Sequence, residues 1–173
     1  MSTDIPPFRV ADRPRMRVIG VLVHTLDNGD PAAKGMTLGG VWKRFAAADV
    51  LARIPGRLHP GTVVAVHLDG GRLRGDAGSI VLGCEVGSLG VIPEDMLGVA
   101  VPRGTCLVFT ASGAMPQAVV DAWEAARGCF REGFPWMRVA GADLEIHREA
   151  TPEAVELWVA VEPDRHPRLV HSP

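Results

Sequence analysis

The stretch DLEIH, near the end of the chain, carries the side chains best suited to binding chemistry. Successive side chains of a β-strand point to opposite faces. Asp143, Glu145 and His147 therefore share one face, and Leu144 and Ile146 share the other. A carboxylate at the base of a pocket can balance the charge of a bound cation or direct a water molecule. The same alternation is typical of a strand with one face in solvent, so the pattern alone leaves both interpretations open.

Other kinds of site have little support in the sequence. The cysteines, Cys84, Cys106 and Cys129, form no CxxC pair, and no His or Cys pair has a recognised metal-ligand spacing. A GxSxG nucleophile elbow is missing. The glycine-rich DGGRLRGDAG lacks the GxxxxGK[ST] spacing of a phosphate loop and predicts a hairpin turn. We therefore predict no metal and no cofactor.

The composition is that of a folded globular protein. The 173 residues are 47% hydrophobic and 22% charged, with a formal net charge of −2. This charge gives no support to direct nucleic-acid binding or to a membrane surface, because both favour a basic face. The first residues lack the apolar run of a signal peptide, so none is expected, and no apolar run is long enough to span a membrane. We predict a cytoplasmic protein with reduced cysteines.

Apolar periodicity predicts seven strands and two helices, arranged around the candidate strand. Residues 1–14 are polar and Pro-rich and predict a flexible tail, and residues 164–173 predict a second one. A single domain is expected over 15–163. The predicted strands lie within 16–25, 62–68, 79–86, 96–102, 105–113, 142–147 and 154–161, and the helices within 38–54 and 116–130.

The order of these elements suggests an internal duplication. A βαββ unit at about 15–88 is followed by a second at about 96–162, and His67 aligns with His147. We predict an α+β fold in which two pseudo-symmetric βαββ units form one antiparallel sheet with two helices. A ligand cleft is expected between the halves.

Several motifs together resemble the GyrI-like family, whose fold also serves as the effector-binding domain of multidrug-responsive and AraC-type regulators. VIGVLVHT and VWKRF come first, followed by SIVLGCEV and VIPEDMLGVAVPRGTCLVF. The latter pair is similar to the family's run "G-x-E-V, spacer, P-x-x-M, I-P-x-G-x-Y-x-V-F". AVVDAWEAA, ADLEIH and LWVAVEP complete the order, and ADLEIH resembles "D-F-E-x-Y". The resemblance covers roughly residues 15–162.

The resemblance implies a cleft with an acidic base and aromatic walls. It places Glu145 at the base and Glu85, within GCEV, at a second acidic position. Phe109 matches the aromatic residue that ends the "Y-x-V-F" strand, and Trp123 matches the tryptophan of the second helix. His147 stands where the family has its last aromatic residue. The chain contains no tyrosine, so a pocket that uses tyrosine hydroxyls cannot form here.

The other tryptophans extend the list of candidate ligand-binding residues. Trp42 lies beside the apolar stripe of the first predicted helix, where it can face the cleft. Trp136 follows the second helix in a predicted loop, so that it can act either as a lid or as a packed wall residue.

The resemblance implies binding of aromatic, often cationic, small molecules. Because the 173 residues leave no room for a helix-turn-helix domain beside the effector-binding domain, we predict a stand-alone protein. The alternative is a hydrolase that opens the strained cyclopropane of DNA-alkylating natural products, with Glu145 orienting or deprotonating the attacking water. A protein partner is left open, because no sequence feature supports one.

Overall fold

The computed structural model describes residues 6–25, 42, 45, 49–68, 78–131 and 133–165. Two helices are described, α1 at Val50–Arg53 and α2 at Gln117–Cys129, and Trp42 and Phe45 also have helical backbones. The strands, numbered β1 to β9 in chain order, are Phe8–Arg13, Met16–Thr25, Thr62–His67, Gly78–Glu85, Leu97–Val101, Gly104–Ser112, Trp136–Arg138, Asp143–Arg148 and Ala154–Pro163.

These strands form one antiparallel sheet in the order β1-β6-β9-β8-β3-β4-β2-β5, with β7 paired to β9. The strand β1 lies at one end of this order and β2 lies next to the other end, yet only Pro14 and Arg15 separate them. Pro102 and Arg103 connect β5 to β6 in the same way. Because such short links cannot cross a flat sheet, the sheet curls until its two ends approach each other.

The predicted duplication is present in the strand registers. Gly20 of β2 pairs with Gly83 on one side and Leu97 on the other. In the second half, Val108 of β6 takes the place of Gly20. It pairs with Trp158 of β9 on one side and with Arg9 of β1 on the other. The halves meet where β3 pairs with β8. The α+β prediction of two related units in one antiparallel sheet is confirmed.

The predicted N-terminal tail is wrong for Phe8–Arg13, which forms β1 and pairs along its whole length with β6. Its sequence, FRVADR, lacks a clear apolar alternation because it is an edge strand with one buried residue, Arg13. The predicted loop at Trp136 is also wrong, since Trp136–Arg138 pairs with β9. Most of the first predicted helix and of the DGGRLRGDAG turn lies outside the described residues.

The sheet buries apolar residues on both faces. On the helix side, one cluster packs β2, β3 and β4 against Phe45, Val50 and Ile54. A second cluster packs β6 and β9 against α2, whose buried residues are Val119, Trp123, Ala126 and Cys129. The opposite, concave side holds a third cluster that includes Val64 and Leu144. Residues at the centre of the sheet are therefore buried whichever way they face.

Candidate functional site

Glu145 lies at the centre of the sheet, where β8 of the second half pairs with β3 of the first. Its side chain points to the helix side and is fully buried. Trp123 of α2 donates its Nε1–H to Oε1 at 2.7 Å. His67 Nε2 lies 3.1 Å from the same oxygen, and His147 Nε2 lies 3.0 Å from Oε2. A carboxylate only accepts hydrogen bonds, so both histidines donate from Nε2 when Glu145 is ionised.

Aromatic rings surround this carboxylate from both halves of the protein. The ring of Trp123 lies edge-on to His67, with centroids 5.1 Å apart. On the other side, His147 lies against Trp42, with centroids 4.4 Å apart. We call these five residues, Glu145, Trp123, His67, His147 and Trp42, the Glu145 site. Trp123 and His67 are almost completely buried, whereas the side chain of His147 is 21% exposed. The site therefore opens towards solvent at His147 and Trp42.

Glu145 is ionised although it is buried, whereas desolvation alone favours the neutral carboxylic acid. Burial raises its pKa, but the hydrogen bonds from His147 and His67 outweigh burial and hold the pKa well below its usual value. Desolvation alone would give Glu145 a raised pKa. The histidine partners reverse this direction, because they stabilise the ionised form.

Stability at acid pH should report this lowered pKa. Since the unfolded chain binds a proton near the ordinary Glu pKa of about 4.3 and folded Glu145 does not, Glu145 stabilises the protein above that pH. Its contribution falls as the pH drops towards the folded pKa, with a slope of at most about 1.4 kcal/mol per pH unit. We expect Glu145→Gln to lose this slope in urea denaturation between about pH 5 and pH 3.5.

The nearby Asp143 has a pKa raised by burial, which Arg138 partly offsets. Its proton uptake favours the folded state at low pH, the opposite sign, but it is present in both proteins. The difference in slope between wild type and Glu145→Gln therefore isolates Glu145. Parallel curves for the two proteins would contradict the lowered pKa.

The structure brings four of the seven predicted site residues together: Glu145, Trp123, His147 and Trp42. Glu85 lies on the opposite face of the sheet, near His59. Phe109 shares the helix side but is two strands away, since Leu157 pairs with both Phe109 and Glu145. Trp136 packs against the core cluster beneath α2. The structure does not bring Glu85, Phe109 and Trp136 to this site, and their role in ligand binding stays a prediction.

Sequence reasoning did not include His67 among the candidate site residues. Its alignment with His147 in the duplicated units was a usable signal. In antiparallel β3 and β8, Ala65 faces Glu145, so each histidine lies two residues from that pair and reaches the same carboxylate. Within the described residues, no cluster of His, Cys, Asp and Glu side chains is suited to holding a metal ion.

A family model for integron-associated effector-binding proteins matches residues 9–161. The chain belongs to this family. No protein with a curated function matches the sequence. The matched region includes nearly all of the sheet, from β1 to β9.

Solved structures share the fold of this effector-binding protein at low sequence identity. An integron cassette protein of Vibrio cholerae is 21% identical, with 90% of this chain and 95% of that chain covered and a TM-score of 0.65. SAV2435 bound to tetraphenylphosphonium is 14% identical, with 96% and 99% covered and a TM-score of 0.72. The C-terminal domain of EcmrR is 10% identical, with 92% and 99% covered and a TM-score of 0.64. These likenesses confirm the predicted GyrI-like fold.

Membership of this family makes the protein a small-molecule-binding protein in the broad sense of effector binding. No helix in the described part of the chain has the length and apolar character needed to cross a membrane.

Proposed function

We propose that the Glu145 site binds aromatic cations. The observation that carries this proposal is a buried carboxylate that is hydrogen-bonded to His67, His147 and Trp123 and has no lysine or arginine partner among the described residues. All three of its described donors belong to aromatic rings. Within the described residues, no lysine or arginine forms an ion pair with Glu145. A lipophilic cation supplies the missing positive charge without requiring a water-filled site.

The rings around Glu145 suit the rest of such a ligand. Trp42, Trp123 and the two histidines offer flat faces and edges within one shell. Burial of apolar ligand area contributes roughly 25 cal/mol per Å², and a cation over a ring adds about 0.5–2 kcal/mol. Neither contribution depends on a particular ligand shape, so we propose that the site accepts a range of aromatic cations. SAV2435, which shares the fold, is bound to tetraphenylphosphonium.

Access to the site is proposed at its more exposed end. Oε2 accepts one described hydrogen bond, from His147, whereas Oε1 accepts two from the deeper Trp123 and His67. Displacement of His147 from its contact with Trp42 would present Oε2 and a tryptophan face together. We propose that a ligand enters by this route.

Tetraphenylphosphonium, titrated by calorimetry, tests the proposal. Glu145→Gln keeps the shape of the side chain and removes its charge, so we expect its affinity for this cation to fall roughly ten-fold or more, equal to about 1.4 kcal/mol. Binding of triphenylphosphine oxide, a neutral aromatic analogue, should change little. Glu85→Gln is the matched control, because Glu85 is a strand carboxylate on the opposite face of the sheet. Equal losses in both variants, or none in Glu145→Gln, would refute the proposal.

The hydrolase alternative receives less support from this geometry. A general base must take up a proton from water, and a carboxylate with a well-lowered pKa does so poorly. Both oxygens of Glu145 also already accept hydrogen bonds. Analysis of incubated mixtures for ring-opened product from a cyclopropane-containing alkylator tests the alternative directly, with Glu145→Gln as the inactive reference.

We further propose that the protein acts in the cytoplasm and does not itself bind nucleic acid. All three cysteines are buried and free, which suits a reducing compartment. The net charge of −2 offers no general attraction to phosphate backbones.

A further inference from the structure

The concave side of the sheet, opposite Glu145, contains a cleft of about 560 Å³. Its floor runs along one face of β8, where Leu144, Ile146 and Arg148 alternate with the residues that face the helices. Met16 and Val64 extend the apolar floor from the first half of the protein. The volume falls within the roughly 300–1,000 Å³ typical of small-molecule sites.

Arg13 gives this cleft a buried positive charge. The side chain lines the cleft, yet the residue is only 3% exposed. Its guanidinium donates to the carbonyl of Ala142 at 2.8 Å and, through Nε and Nη2, to the carbonyl of Pro102 at 3.3 and 3.1 Å. Among the described residues, no carboxylate forms an ion pair with it. A buried cation held by neutral carbonyls keeps its full charge, which is costly unless an anion compensates it.

The two ends of the cleft differ in burial and in the pairing of their arginines, since Arg148 forms an ion pair with Glu156 and Arg13 forms none among the described residues. Arg13 contacts Ala142, just before β8 begins, whereas Arg148 is the last residue of β8 and its side chain is 42% exposed. The five steps between Asp143 and Arg148 correspond to about 17 Å of strand. Glu85 lines the cleft with His59 beside it, 3.5 Å from its carboxylate. The Arg13 end is therefore deep and cationic, and the Arg148 end is open.

We propose that this cleft, which we call the Arg13 cleft, binds an anionic amphiphile, that is, a carboxylate attached to an apolar body. The carboxylate pairs with Arg13, which has N–H donors beyond those used by Pro102 and Ala142. The apolar body lies along Leu144, Ile146 and Val64. Trp158 forms one wall of the cleft. It pairs with Leu144 of β8 as Gly83 pairs with Val64 of β3 in the first half.

This second site differs from the Glu145 site in face, in charge and in ligand class. Leu144 and Ile146 alternate with Glu145 along β8, so the sheet itself separates the two sites. A cation is favoured on the helix side and an anion on the concave side. Two ligands of opposite charge can therefore bind at the same time, and neither should displace the other by competition.

Calorimetric titration with dodecanoate and dodecanol tests the Arg13 cleft, because the two probes share a chain and differ in charge. We expect one dodecanoate per protein, with dodecanol at least roughly ten-fold weaker. Arg13→Gln removes the charge but keeps a donor for Pro102, and it should weaken dodecanoate binding by a similar factor. Arg9→Gln is the matched control. Arg9 lies on the same face of β1 but is exposed and paired with Glu156, so we expect less than about a two-fold change.

A second variant protects the test against misfolding of Arg13→Gln. Thr62→Phe narrows the cleft at its half-buried wall without touching Arg13. It should also reduce dodecanoate affinity about ten-fold or more while circular dichroism shows a folded protein. Failure of wild type to bind dodecanoate, equal affinity for dodecanol, or unchanged binding in folded Arg13→Gln or Thr62→Phe would overturn the proposal. None of these outcomes depends on whether tetraphenylphosphonium binds at Glu145.

Discussion

Replacing Trp123 with alanine should lower the free energy of unfolding by about 4 kcal/mol, near the upper range for a large buried side chain. Trp123 is 1% exposed and is the largest fully buried side chain among the described residues. Its removal leaves a cavity between α2 and the sheet. It also deprives buried Glu145 of its shortest described hydrogen bond, at 2.7 Å. Because a small domain is stable by only about 5–15 kcal/mol, this single change removes a large share of the total.

The more informative variant is Trp123→Phe, which keeps most of the ring and deletes the Nε1–H donor. Loss of a hydrogen bond to a buried charge should cost about 2 kcal/mol. Trp158→Phe is the matched control, since Trp158 donates Nε1–H to Glu156 at 3.2 Å in a more exposed setting. We expect about 1 kcal/mol or less there.

Urea denaturation followed by far-UV circular dichroism measures all three variants without relying on tryptophan fluorescence. Equal costs for Trp123→Phe and Trp158→Phe would contradict a special role for the donor to Glu145. A Trp123→Ala protein as stable as Trp123→Phe would show that the volume of the ring contributes little.

The sequence predicted most strands because each carries its own apolar pattern, as TVVAVH and DLEIH do. It missed β1 because that strand is defined by its partner. FRVADR is an edge strand with a buried arginine, and β6, with which it pairs, lies far along the chain. The curl of the sheet could not be predicted from the sequence either. It depends on which strands pair across the two halves, and local periodicity carries no information on that pairing.

In the candidate site, too, the sequence predicted what depends on one element and missed what depends on contacts between elements. A motif could place Glu145, and helix spacing could place Trp123, because those positions depend on one element each. The sequence could not show that Glu85 lies on the face opposite Glu145, because its strand, β4, is buried on both faces and the alternation of apolar and polar residues does not distinguish them. The lowered pKa of Glu145 needed its partners, His67 and His147, to be known. Proximity across strands decides such properties.

Gly83→Ala should have the second large effect on stability, about 3 kcal/mol or more. Gly83 of β4 faces Gly20 of β2. A Cβ atom at position 83 would lie 2.0 Å from the carbonyl oxygen of Ile19, and one at position 20 would lie 2.2 Å from that of Leu82. These obstacles are backbone atoms of paired strands, which cannot rotate away. The two glycines therefore allow the backbones of β2 and β4 to approach closely.

Gly87→Ala is the control for this effect, because Gly87 follows the same strand and its added Cβ would meet only a side-chain atom of Leu58 at 3.7 Å. We expect its free energy of unfolding to stay within about 0.5 kcal/mol of wild type. Gly20→Ala should be as harmful as Gly83→Ala, and the double variant should cost less than the sum, since one displacement of β2 from β4 relieves both clashes. If the losses in free energy of unfolding are additive in urea denaturation, each strand adjusts independently. The close approach of β2 and β4 would then not contribute to the curvature of the sheet.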